Sequence, residues 1–491
     1  MTAVSLAAAV GLAGCSTPGT DAAGVSSADT AASESLPFFD DSTVHDVSVS
    51  FSDEEYQAML AAYSDSGDKD WISASVTIDG TTLENVGLRL KGNSSLMSLS
   101  GRGTGGTAQQ AVPDAEADAE PGADTETTTD PYGTQESGDG DGTAESPQSL
   151  PWLIRLDKFV DGQQYQGRTD LVVRGNNSES SLNEALALEL TGASNLATLQ
   201  ASAARFSVNG SAGQLRLIIE SPDDELWNED TFGSEGSIYK AESGGDYSYR
   251  GDNPDEYQDV FEEKAGEEGL EPLVEFLDFV NNSTNEEFSA HLGEHLDVDA
   301  FATYLAAQDL MGNMDDIDGP GNNSYLRYDP DTGKMTVVTW DLNLAFGAMA
   351  GGAGGPGGTG EAAMPGGLQR PDGMTRPNGM TPPDGTQLPA DGTMPEDAGM
   401  PGAAGGPGGT GGTDNPLSSR FLADSGFKAL VEEKTATLRA DLYTSGTAQQ
   451  ILDKWTSLLT SQAGDLVPAE TVEAEADNIA AFFTPADPAS S

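Results

Sequence analysis

Residues 44–51, Val-His-Asp-Val-Ser-Val-Ser-Phe, alternate apolar and polar side chains with the period of two that a half-buried strand presents. Ser52-Asp53-Glu54-Glu55 follow as an N-cap and acidic first turn, and Tyr56, Met59 and Leu60 then recur at helical spacing. Trp71 to Ile78, the turn Asp79-Gly80 and Leu83 to Leu90 carry a hairpin signal. Farther along, Trp152 to Phe159, Leu171 to Val173, Ala204 to Val208 and Leu215 to Glu220 have strand texture. Leu182 to Thr191, Leu270 to Asn281 and Val298 to Leu310 have that of helices, the last with Phe301, Leu305, Leu310 and Met311 on one side. Ser324 to Tyr328, the turn 329–333 and Met335 to Trp340 make a second hairpin, and Leu417 to Leu442 and Ala448 to Leu459 are helical again. Strands dominate first and helices later, with one hairpin embedded among the helices. This predicts an α+β fold in two lobes, a β-rich N-terminal one and a helix-rich C-terminal one.

Two stretches break the periodicity. Residues 97–148 consist of Gly, Thr, Asp and Glu with almost no large apolar side chains, too little to offset the chain entropy of folding. Residues 349–413 are Gly, Pro, Met, Ala and Asp, with Gly-Gly-Pro-Gly-Gly-Thr-Gly at both ends. Both are expected to be disordered surface insertions, since long loops add only slowly to closure entropy. The expected organisation is a leader at 1–15, a disordered tether at 16–36, one domain over 38–348 interrupted at 97–148, the insertion at 349–413, and a helical remainder of the same domain at 414–485. Without tether and insertions roughly 350 residues remain, enough for one large or two-lobed domain.

Charge narrows the function classes. Lys and Arg number 22 against 81 Asp and Glu, a formal net charge of −59. Such a polyanion repels phosphate backbones and anionic lipid surfaces, so nucleic acid is not an expected partner. Residues 4–13 form a small-residue apolar run of signal-peptide length, too short to span a bilayer. The run ends in Leu12-Ala13-Gly14-Cys15, which resembles a bacterial lipobox, and Cys15 is the single cysteine of the chain, with no internal disulfide partner. The expectation is an exported lipoprotein, lipidated at Cys15 and attached to the membrane only through that anchor. A buried unmodified thiol is the competing reading.

The densest chemistry lies between residues 312 and 347. Gly312-Asn313-Met314-Asp315-Asp316-Ile317-Asp318-Gly319-Pro320-Gly321-Asn322-Asn323 precede the second hairpin, and Thr339-Trp340-Asp341-Leu342-Asn343 follow it. A short hairpin brings its two ends together, so Asp315 or Asp316, Asn323 and Asp341 can converge. Hard oxygen donors of this kind suit Mg²⁺ or Mn²⁺ and, through them, nucleotide phosphates. The order Asp, Asn, hairpin, Asp matches the phosphoryl-transfer layout in which one Asp accepts the substrate proton and an Asn and a second Asp hold metal. A solvated turn would also use these residue types, and a calcium loop would need a Glu at its twelfth position that is missing. His45, His291 and His295 lack zinc spacing, and no serine sits in a Gly-x-Ser-x-Gly elbow.

These residues resemble the CotH family, the spore-coat protein H type of secreted, atypical protein kinases. Thr77-Ile78-Asp79-Gly80, Asn85 to Ser95 with its Val-Gly-x-Arg-x-Lys-Gly order, Ile154-Arg155-Leu156-Asp157, Leu182 to Ala187, Val208-Asn209-Gly210, Ile219-Glu220 and Ile238-Tyr239-Lys240 resemble further family blocks in order. The resemblance covers about residues 38–345 and the helical tail, and neither insertion. It implies a kinase-like fold that uses ATP with Mg²⁺ or Mn²⁺. By position, Asp315 resembles the catalytic-loop aspartate, with Asp316 and Asp318 as rivals, and Asn323 and Asp341 resemble the metal ligands. Asn343 stands where the family often has a second Asp. Lys91 or Arg155 would hold nucleotide phosphates, with Glu184 orienting that cation. The function expected is transfer of the ATP γ-phosphate to Ser or Thr of a surface protein by a monomer. A catalytically inactive binding or structural protein on the same fold is the alternative.

Overall fold

The computed structural model describes residues 37–39, 41–92, 96, 99, 146–242, 246–319, 323–348 and 415–484. Cys15, the leader, the tether and nearly all of both expected insertions lie outside these residues.

Seven strands close into a barrel: β1 (His45–Phe51), β2 (Ile72–Ile78), β3 (Thr81–Leu90), β4 (Trp152–Arg155), β5 (Asp170–Val173), β6 (Ala201–Val208) and β7 (Gln214–Ile219). Their order is β1-β2-β3-β4-β5-β7-β6, and a parallel pairing of β1 with β6 seals it. The alternation read in residues 44–51 has its cause here, because Val47 and Val49 point inward while Asp46, Ser48 and Ser50 face solvent. Asp79 and Gly80, at φ 47° and 83°, form the β2–β3 turn, both in the left-handed region that a tight hairpin demands. Helix α1 (Asp53–Ser66) packs Tyr56, Met59 and Tyr63 into the barrel core beside Trp152; the Ser52 hydroxyl caps it by accepting from the Glu55 amide, and Gly67 ends it at φ 85°.

Alternation along β3 to β5 sorts the side chains that matter later. Val86, Leu88, Leu90, Trp152, Ile154, Leu171 and Val173 fill the barrel, so Gly87, Arg89 and Lys91, with Arg155, Asp170 and Arg174, lie outside it. Helix α2 (Leu182–Ala193) covers part of that outer wall. It is buried on nearly every side, between the barrel residues Leu153, Val172, Leu215 and Leu217 and the later helices, so it shows little amphipathic contrast.

A second sheet, of order β11-β10-β8-β9, is antiparallel throughout: β8 (Ser237–Ala241), β9 (Phe261–Ala265), β10 (Ser324–Asp329) and β11 (Lys334–Thr339). The hairpin expected to stand among helices is therefore half of a four-stranded sheet. Its partners are a five-residue run and a charged strand, Phe-Glu-Glu-Lys-Ala, too short and too polar to stand out in the pattern. Around this sheet pack α4 (Glu271–Asn282), α5 (Asn285–His295), α6 (Val298–Met311) and α7 (Pro416–Ala423), while α3 (Glu225–Phe232) joins the two sheets. Helices α8 (Ser425–Leu438), α9 (Thr447–Gln462) and α10 (Ala469–Ala480) complete an α+β architecture.

Two sequence boundaries shift. Residues 417–442 are not one helix: Asp424, extended at ψ 125°, ends α7 and caps α8 through the amides of Gly426 and Phe427. The strand read from Trp152 to Phe159 stops at Arg155, and the chain turns so that Lys158 covers Gly87, where a Cβ would come within 2.5 Å of it.

Arg216, 2 % exposed, closes one end of the barrel and is paired with no carboxylate among the described residues. It donates to the carbonyls of Gln148 at 2.6 Å, Leu150 at 3.0 Å and Arg174 at 2.8 Å, and burial with the nearby Arg174 guanidinium lowers its pKa to about 9. Replacing it with Met would leave three buried acceptors without donors. We expect Arg216→Met to lower unfolding stability by about 2–4 kcal/mol in urea titrations, and Arg216→Lys, which cannot reach all three, to recover only part.

Candidate active site

The site forms where the barrel wall, α2 and the end of β11 meet. Arg174 follows the apolar strand β5 and is 7 % exposed; its Nε lies 2.8 Å from Oε1 of Glu184, and its Nη2 hydrogen-bonds Oδ1 of Asp341. Glu184, on the first turn of α2, is 2 % exposed, and burial raises its pKa against the opposing pull of Arg174. Asp341 stands at φ 59°, a left-handed conformation that turns the chain sharply out of β11 into the short 3₁₀ segment 342–347. One cation thus meets two carboxylates from two separate elements.

The second hairpin brings its two ends together. Ser324 pairs with Thr339, so Asn323 and Trp340 face each other across the open end, with Asp341 next. The loop before β10 is tied to the same place: the carbonyl of Asp316 accepts from the amides of Gly319 at 3.1 Å and Asn323 at 3.2 Å. Its three carboxylates have different surroundings. Asp316 takes the Asp318 amide at 2.9 Å, and burial first, then its acidic neighbours, push its pKa up to about 6. Asp318 accepts from the Ser418 hydroxyl on α7. Asp315 is half-buried, with Gly319 folded so closely over it that a Cβ there would sit 2.5 Å from its Oδ1. Ile317, buried between them, anchors the loop by donating its amide to Tyr304 Oη at 3.1 Å and accepting from Asn415 Nδ2 at 3.3 Å.

Two of the phosphate-binding expectations are redistributed. Glu184 pairs with neither Lys91 nor Arg155. Arg155 is held by Asp170 on the adjacent strand, Nε to Oδ1 at 2.8 Å, because residues facing each other in β4 and β5 are neighbours whatever else is near. Lys91 does reach the site: its Nζ lies 3.2 Å from Asp223 and 5.1 Å from the centroid of Trp340, whose ring also carries the Arg174 guanidinium at 5.5 Å. Burial would raise the pKa of Asp223, but Lys91, Lys264 and a 2.9 Å bond from the Tyr325 hydroxyl outweigh it and hold the carboxyl below its usual range.

Sequence reasoning gave no role to Arg174, Lys240, Asp223 or Trp340. Lys240, paired in register with Tyr325, is lowered to about 8 by burial, and by Lys91, against the pull of Asp341. Arg174 had a signal available: it is a lone basic residue closing an apolar strand ten positions before Glu184. Lys240 belonged to a block matched only for its order.

Among the described residues no group of three or more His, Cys, Asp or Glu is arranged to hold a metal ion. The oxygen donors at the hairpin end are one carboxylate, Asp341, and the amide of Asn323. Such a pair fits Mg²⁺ or Mn²⁺, which are often held by one or two protein oxygens with phosphates and water completing the shell. Asn343 lies two residues farther on, and its carbonyl is tied to α2 by Asn183 Nδ2 at 2.6 Å.

No curated protein matches the chain. A family model described as CotH kinase protein matches residues 139–470, which leaves β1 to β3 and Lys91 outside the match and includes Arg174, Glu184, the Asp315 loop and Asp341. With that match spanning well over half of its length, the chain belongs to the CotH kinase family.

Proposed function

We propose that the protein is an extracytoplasmic, lipid-anchored kinase-like phosphotransferase that moves the γ-phosphate of ATP, with Mg²⁺ or Mn²⁺, to Ser or Thr of surface proteins. The observation that carries this reading is the Arg174–Glu184–Asp341 junction beside the Asp315 loop. In phosphoryl transfer a cation paired to a helix glutamate and a metal-holding aspartate after a hairpin must be in place together, and here one guanidinium couples them. Bound ATP and its metal would supply the transferable phosphoryl group and neutralise its charge. The side chains do the rest: Asp341 and Asn323 offer metal-binding oxygens, while Arg174 and Lys91 place positive charge over Trp340 and Lys240 over the adjoining Tyr325. Asp315 takes the proton of the acceptor hydroxyl, leaving Asp316 to shape the loop. In this reading the barrel with α1 and α2 is the smaller lobe, and the second sheet with its helices the larger.

Full-length protein incubated with labelled ATP and Mn²⁺ tests the reading. We expect phosphoryl transfer that falls at least 100-fold in Asp315→Asn with nucleotide binding retained, and that disappears with weakened Mn²⁺-nucleotide binding in Asp341→Ala. Absence of nucleotide binding in the unaltered protein would leave the inactive binding protein as the better reading.

Asp316 gives a stability counterpart. Its folded pKa, about 6, lies above its unfolded value of 3.8, so folding favours its protonated form. Below pH 3.8 both states are protonated and the group costs nothing; above pH 6 the fold carries an ionised, mostly buried carboxylate. Asp316→Asn keeps an oxygen for the Asp318 amide, and thermal melts should show it more stable by about 1–2 kcal/mol at pH 7.5, the difference shrinking as pH falls and vanishing near pH 3.

For the anchor, Cys15→Ser should abolish palmitate labelling and release the protein from the membrane fraction. Equal labelling of both forms counts against lipidation.

A further inference from the structure

The outer face of β3 and β4 extends away from the junction just described. Gly87, Arg89 and Lys91 share that face, spaced two apart, and Lys91 is the end that reaches Trp340 and Asp223. At the other end stands Trp71, half-buried, with three cations around its ring: Arg89 Cζ at 4.6 Å, Lys158 Nζ at 5.1 Å and Arg155 Cζ at 5.7 Å. The absence of a side chain at Gly87 makes the arrangement possible, because a Cβ there would meet Lys158 Cβ at 2.5 Å and Trp71 at 2.9 Å. Of these cations Arg155 is matched by Asp170, whereas the Nε of Arg89 has no hydrogen-bond partner among the described residues. Lys69 adds to the cluster, its pKa lowered to about 8 by burial and by Lys91 and Arg89. Beyond Lys158 the loop exposes Phe159 and Val160, 49 % and 38 % accessible, as an apolar edge.

In a chain with 81 acidic and 22 basic residues, such a concentration of cations on one partly exposed wall, with Lys158 at the surface, selects a ligand of opposite sign. Resting on the phosphotransferase reading, we propose that the Trp71 face is the docking surface for an acidic stretch of the acceptor protein. Its specificity follows from the register. From Gly87 to Lys91 is four residues of strand, about 13 Å, a span that an extended peptide covers in about four residues. Carboxylates bound by Arg89 and by Lys158, which covers Gly87, therefore lie about two to four positions from the peptide residue level with Lys91, and the Ser or Thr follows that residue toward Asp315. Desolvated guanidinium–carboxylate pairs on an aromatic platform are the strong form of such contacts, and Phe159 and Val160 favour an apolar residue beyond the acids.

Full-length protein is assayed on paired Ser peptides that carry either three Asp or three Lys centred four positions from the serine. We expect kcat/KM at least tenfold higher for the Asp peptide, the difference lying in KM. The double variant Arg89→Glu/Lys158→Glu should reverse the preference toward the Lys peptide with nucleotide Kd unchanged, a gain that a misfolded protein cannot show. Equal use of the two peptides by the unaltered protein overturns the proposal. So does a raised nucleotide Kd in the variant with peptide preference intact, which would assign the face to the nucleotide. Fluorescence anisotropy of the labelled Asp peptide separates this inference from the phosphotransferase reading: a chain that binds no nucleotide yet binds the Asp peptide tenfold tighter than the Lys peptide retains the docking surface, and equal binding of the two removes it.

Discussion

Through its side chain, Arg174 ties the barrel wall to both α2 and the exit of the second sheet. Its backbone closes a barrel strand, and its carbonyl is held by Arg216 from the barrel end. Its guanidinium binds Glu184 on α2 and Asp341 at the exit of the second sheet. Desolvating one cation with two carboxylates is costly unless each hydrogen bond is made, and removing Arg174 would strand the buried Glu184 carboxylate. The position of α2 follows from this junction together with the apolar surfaces packed on both sides of the helix. The left-handed turn at Asp341 follows too, because a non-glycine residue at φ 59° persists where its surroundings hold it there.

Around the junction, charge runs opposite to the composition. One guanidinium against Glu184 and Asp341 leaves a unit negative charge at the end of the hairpin, where a divalent cation would be most useful. Lys91, Lys240 and Lys69 gather beside it, and burial lowers Lys240 and Lys69 to about 8. In a protein of net charge −59 these few cations decide where an anion can approach. The total charge says little about the site, because long-range charge of one sign is screened while buried pairs are not.

The loop between α6 and β10 shows how three like residues acquire different roles. Asp315, Asp316 and Asp318 cannot be told apart by type, and within four positions their spacing is ambiguous. Packing separates them. Burial of Ile317 aims its two neighbours differently: Asp318 toward Ser418 on a helix a hundred residues away, and Asp316 back toward the loop's own amides.

Where the pattern was local, an alternation with one buried face or a long apolar run, the elements were legible in the chain itself: the β1 alternation, the Asp79-Gly80 turn, the helices α2, α4 and α6, and the hairpin that brings Asn323 beside Asp341. Those features depend on residues near one another in sequence. The closing of the barrel by β1 and β6, the joining of the second hairpin to β8 and β9, and the pairing of Glu184 with Arg174 instead of Lys91 or Arg155 depend on contacts across tens to hundreds of residues. Local sequence named Glu184, Asp341, Lys91 and Arg155 as groups that could meet, and passed over Arg174. Which of them meet was decided by strand register and by the burial of α2, because an ion pair forms between the groups that packing desolvates together, and packing is a property of the whole fold.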